Sequence, residues 1–182
     1  FVVTGLLSHT AVGDNRQYLY WIEIGALASF KKCVWHDNYV NRRQYLLFGV
    51  TPLEVAVHRA DLAMVKFLIA RGADPSYSSG FNSPVDVAMA RQKWEELDYL
   101  LGRLPDQWLE GNVPRLFRTA AVEESGKALQ VLLNHRLQRW VSPQEMSIIV
   151  DRIVAQRSDT KMAALQKAGV STGQQRLPAS SK

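Results

Sequence analysis

The stretch that decides the fold is GVTPLEVAVHRADLAMVKFLIARGADPS, residues 49–76. Thr51 before Pro52 reads as a helix start. A threonine hydroxyl can take one of the unpaired N–H groups of a first turn, and proline suits a position whose N–H has no helical partner anyway. Leu53, Val55, Ala56 and Val57 then populate a short helix. Asp61 starts a second, in which Leu62, Val65, Leu68 and Ile69 recur as one apolar stripe. Gly72 is predicted to end it, because glycine reaches the left-handed conformation without a Cβ penalty. Asp74 and Pro75 turn the chain outward. The unit is two short helices bounded by turns, and alone it cannot bury its apolar faces.

The same pattern recurs on either side. Downstream by 32 residues, Ser83 and Pro84 replace Thr51 and Pro52, Ala88 falls under Ala56, and Trp94, Leu97, Leu100 and Leu101 fall under the second stripe. Another 32 residues on, Phe117 takes the Leu53 position, Ala120 follows Ala88, and Leu132 and Leu133 follow Leu100 and Leu101. There Arg115 and Leu116 replace the Thr-Pro pair, so no cap is predicted. Residues 107–112 before it are predicted as a loop with an exposed Trp108. Ser142, Pro143 and Glu145 open a last unit, with Met146, Ile149, Val150 and Ile153 as its first stripe and Met162, Leu165 and Ala168 as its second. Its outer face is expected to carry Arg152, Arg157, Lys161 and Lys167. Upstream, residues 16–34 align at an offset of 35, though Trp21 stands where Ala56 would be.

The run Thr51-Pro52-Leu53-Glu54-Val55-Ala56 resembles the T-P-L-H-x-A signature of ankyrin repeats, whose period is near 33. Glu54 departs from it at the usual histidine. The resemblance covers roughly residues 14–170 and is strongest over 48–104. It implies an all-α fold, an ankyrin-repeat solenoid of stacked antiparallel helix pairs with projecting turn or hairpin fingers. The expected organisation is a lead-in over 1–13, a repeat domain over 14–170, and a tail over 171–182. The repeats are expected near 14–38, 48–76, 80–105, 113–136 and 143–170.

Composition narrows the function. The formal charge of +5 is mild, and the middle third is slightly acidic, which breaks any basic stripe for nucleic acid. A nucleic-acid-binding module therefore stands only as an alternative. The single cysteine, Cys33, rules out an intramolecular disulfide and aligns with the core position Leu68, so it reads as a buried thiol. No apolar run reaches the roughly 18 residues that span a bilayer. His9, His36, His58 and His135 lack metal-ligand spacing, and no phosphate loop, HExxH, CxxC or G-x-S-x-G run occurs. The pairs Glu95 with Glu96 and Glu123 with Glu124 read as solvated helix surface, since neighbours in sequence point apart on a helix. No catalytic residue, cofactor or metal is expected in this segment. The sequence opens on Phe1 rather than methionine and is expected to be part of a longer protein, so a catalytic domain upstream stays open.

The resemblance implies a protein-protein interaction module, monomeric alone and cytoplasmic, whose partner docks on the fingers and the exposed face of each first helix. By register the candidates are Phe48, His58, Arg59, Asn82 and Arg91. Phe48 has a second reading, packing against Phe81 between fingers. The aromatic-basic stretch of residues 35–48 adds Trp35, Tyr39, Arg42 and Arg43, read either as a loop folded back on the first repeat or as an exposed finger. Architecture also suggests an alternative, the ankyrin domain of a bacterial effector enzyme resembling the arginine ADP-riboxanases. Such a domain would capture a host protein such as a caspase in the host cytosol.

Overall fold

A computed structural model of the chain describes residues 50–78 and 83–171. Among the described residues there are eight α-helices, one short 3-10 helix and no β-strand. Two compact units, divided between Asp74 and Pro75, are taken in turn.

In the first unit, α1 spans Pro52–His58 and α2 spans Leu62–Ala70. Thr51 caps α1 as the sequence predicts: its hydroxyl accepts from the Glu54 amide at 3.2 Å, and its own amide donates to the Glu54 carboxylate. Glu54, where the ankyrin signature has histidine, is thus the return half of a capping box and is buried. The turn into α2 follows a fixed pattern. The Ala60 amide donates to the Val57 carbonyl at 3.0 Å, and the Asp61 amide to Ala56 at 3.2 Å. This closure places Ala60 at φ 58°, a conformation that costs a residue with a Cβ about 1–2 kcal/mol. Asp61 then caps α2 by accepting from the Met64 amide at 2.9 Å. Gly72 closes α2 at φ 89°, as expected. Leu53, Ala56, Val57, Met64, Val65 and Leu68 are buried, whereas Leu62 and Ile69 are only half-buried.

The second unit repeats this device three times with variations. Here α3 is Pro84–Ala90, α4 Trp94–Leu101, α5 Asp106–Val122, α6 Lys127–Asn134, α7 Pro143–Ala155 and α8 Asp159–Lys167. Ser83 and Asp86 form a second capping box. Gln92 repeats the conformation of Ala60, at φ 55°. The helices α1, α3 and α5 end at His58, Ala90 and Val122, in step with the 32-residue period. Ala56, Ala88 and Ala120 are fully buried, as are Leu68, Leu100 and Leu132. Within this unit the second helices α4, α6 and α8 pack in a row, and α5 packs on α7. The 3-10 helix Leu137–Trp140 links α6 to α7 with Leu137 buried.

Four expectations need correction. Residues 107–112 are not a loop: α5 begins at Asp106 and runs on through Pro114, and Trp108 is half-buried. An interior proline costs a helix about 3 kcal/mol. Here it is outweighed by one continuous buried stripe, Leu109, Val113, Leu116, Phe117, Ala120 and Ala121. Lys161 is not on a polar outer face but is 1% exposed. It sits four residues before Leu165, on the buried side of α8. Glu96 is buried while Glu95 is exposed, because the third position of α4 turns inward. Glu123 and Glu124 lie just past the end of α5 rather than on it.

Candidate interaction surface

The buried stripe of α5 leaves the opposite face free. Arg115, Arg118, Thr119 and Val122 fall at spacings of three, four and seven residues along it and share one side of the helix. They line an open groove of about 650 Å³ together with Gln92 from the turn after α3, Glu123 and Glu124. Val122 is 57% exposed, one of few large apolar side chains so presented among the described residues.

Both arginines are held in place. Arg115 Nη1 bonds Asp86 Oδ1 at 2.5 Å, reaching the capping acid of α3. Arg118 Nη1 bonds Glu145 Oε1 at 2.7 Å, reaching the acid in the first turn of α7. Arg115, at the position that lost its Thr-Pro cap, and Arg118, one turn on, therefore tie α5 to α3 and to α7. Burial works to raise the Asp86 pKa, but hydrogen bonds from Arg115 and from the Ser83 amide and hydroxyl outweigh it and hold the carboxyl below its usual range.

Lys161 holds the C-terminal end of α5. Its ammonium donates to the Ala121 carbonyl at 2.7 Å and to Gln156 Oε1 at 2.8 Å. Burial pushes its pKa below the usual lysine value, while attraction to Glu123 and Glu124 works the other way. Gly126, at φ 71°, passes so close that a Cβ there would lie 3.1 Å from Lys161 Cγ. Burial likewise raises the Glu123 pKa, but the hydroxyl and amide of Ser125 and the amides of Ala128 and Gly126 bring it down overall. The Ser125 amide donates to Glu123 Oε1 at 2.8 Å.

Of the residues chosen from sequence, Trp35, Tyr39, Arg42, Arg43, Phe48 and Asn82 lie outside the described residues, as do Cys33 and the proposed repeat over 14–38. His58 and Arg59 are exposed side by side at the end of α1 in the first unit. Arg91 is exposed at the matching place in α3, next to Gln92. Sequence reasoning missed Arg115 and Arg118, having read that segment as a weakened cap. Their spacing with Thr119 and Val122 was the available signal.

Among the described residues no three His, Cys, Asp or Glu side chains are grouped to hold a metal ion, and no helix is long and apolar enough to cross a membrane. No curated protein matches the chain at a significant level. The family model described as Ankyrin repeat matches residues 48–79, the span of α1, α2 and the turn after them. Ankyrin repeats are in general protein-protein interaction modules without catalysis of their own. The chain thus carries an ankyrin repeat, built on α1 and α2.

Proposed function

We propose that this chain binds a partner protein through the exposed ends and faces of its first helices. One observation carries the reading. The free face of α5 presents two anchored guanidinium groups, a hydroxyl and an exposed valine to one groove. Arginine is enriched at the centres of protein interfaces, and an arginine already fixed by a carboxylate loses less freedom on binding. Arg91, beside Gln92 of the same groove, extends that surface. In the first unit His58 and Arg59 occupy the equivalent end of α1, exposed at a place where packing does not require them. In a longer protein the same surface would serve to recruit the substrate of a catalytic domain.

The test is site-specific photo-crosslinking in cell lysate, with the photoreactive residue placed at Arg91 or Thr119 and, as control, at the exposed Ser147 of α7. A discrete adduct from Arg91 and Thr119 that Ser147 does not give supports the reading. The same diffuse labelling from all three positions counts against it.

A further inference from the structure

A second cleft lies between α6 and α8 and shares no lining residue with the α5 groove. Gln130, Leu133 and Asn134 of α6 form one wall, and Ala164 and Lys167 of α8 with Ala168, which caps it, form the other; Arg136 and Gln138 close it. Each wall is one helix face, at spacings of three and four residues. The two alanine side chains are too small to fill the space between the walls, and a volume of about 350 Å³ is left. That is the size of a small-molecule site.

The lining has a distinctive charge. It holds two cations, three carboxamides and no carboxylate. Neither Arg136 nor Lys167 has an ion-pair partner among the described residues, whereas Arg115 and Arg118 both do. The bland explanation is that each cation merely complements the C-terminal end of a helix, since Lys167 ends α8 and Arg136 follows α6. Magnitudes decide against it as the whole account. A helix C-terminus carries roughly half an elementary negative charge, so two ends offset about one of the two positive charges. One positive charge remains, facing a cleft without an acid. Gln138 adds a second requirement. Its Oε1 is shut off from solvent and has no hydrogen-bond partner, so turning it into the cleft toward a donor sacrifices no bond already formed.

We infer that this cleft binds a carboxylate with an adjacent N–H donor, the chemistry of an N-acylated amino acid or of a peptide C-terminus. Arg136 and Lys167 take the carboxylate, Gln130 and Asn134 donate to it, and Gln138 accepts from the N–H. A monoanion suits the residual charge better than a dianion such as phosphate. The cleft is wider than a bare oxyanion, which leaves room for the side chain and acyl group.

The experiment is an NMR titration of the full isotopically labelled chain with N-acetylalanine, N-acetylalaninamide, N-acetyl-tetraalanine and inorganic phosphate. N-acetylalanine is expected to shift the side-chain amides of Gln130, Asn134 and Gln138 saturably, and the uncharged amide to bind at least about tenfold more weakly. Tighter binding of N-acetyl-tetraalanine assigns the site to protein C-termini, and equal or weaker binding assigns it to small acyl amino acids. The double variant Arg136→Gln, Lys167→Gln is expected to lose about tenfold or more. Ala164→Leu keeps both cations but fills the cleft, and is expected to abolish the shifts without lowering the melting temperature. Equal binding of acid and amide, tighter binding of phosphate, or N-acetylalanine affinity unchanged in Ala164→Leu would each overturn the inference.

Discussion

The ammonium of Lys161 lies 2.7 Å from the carbonyl oxygen of Ala121, forty residues earlier in the chain. A buried charge is tolerated only when hydrogen-bonded and compensated, and here the end of α5, Gln156 and two glutamates supply both. Lys161→Ala opens a cavity and strands the Ala121 carbonyl, so it is expected to cost about 3 kcal/mol in denaturant unfolding. Lys161→Met strands the same carbonyl but keeps the volume, so it is expected to cost less, about 1–2 kcal/mol. Equal losses in the two variants would show that cavity volume is not what matters here.

The same lysine gives a pH signature. Its folded-state pKa is depressed, so between that value and the unfolded value near 10.4 the unfolded chain holds more protons. Stability of wild type relative to Lys161→Met is therefore expected to rise as pH climbs through that alkaline window. A flat or falling difference across it contradicts the burial assigned to Lys161.

Asp86 works in the opposite sense. Its lowered pKa contributes stability that is present above the ordinary aspartate value near 3.9 and is lost as pH falls through the folded value. Arg115→Gln removes the strongest of the bonds that lower it. Arg115 is 45% exposed, so the pair is expected to contribute less than about 1 kcal/mol in a double-mutant cycle with Asp86→Asn at pH 7. That coupling is expected to vanish in acid, as followed by unfolding at pH 7 and pH 2.

Ala56, Ala88 and Ala120 mark the spacing of the helix contacts, and all three are fully buried. Enlarging any of them to leucine is expected to overpack the core and cost about 1–3 kcal/mol. Wild-type thermal stability in all three variants would refute the 32-residue register.

Gln92 holds a left-handed conformation that a glycine adopts without strain. Gln92→Gly is expected to leave stability unchanged or raise it by up to about 1 kcal/mol, the relief of strain being partly offset by the freer unfolded chain. A loss of stability would mean that the side chain itself matters.

What could be read from the sequence was whatever repeats. Thr51 and Ser83 announce their caps, and the alanine and leucine ladder announces its register, because packing imposes the same small or apolar residue at the same place each time. Departures from the repeat were misread. The stretch around Trp108 carries Gly111 and Pro114, which locally signal a loop, yet a buried stripe on the far side of α5 keeps it helical. Lys161 and Glu96 look like surface residues because charged side chains usually are. For Lys161, only the opposing end of α5 and Gln156, invisible in a single stretch, make its burial tolerable. The same limit applied to the candidate surface. His58, Arg59 and Arg91 were chosen by register and are exposed, whereas the placement of Arg115 and Arg118 depends on partners 27–29 residues away.

The central claim, partner binding through the ends of the first helices, is tested most directly by quantitative affinity capture from lysate. Wild type is compared with the double variant Arg59→Glu, Arg91→Glu, after both are shown to melt at the same temperature. The account predicts a protein enriched by wild type and lost from the double variant. Recovery of the same proteins in the same amounts by both would contradict it.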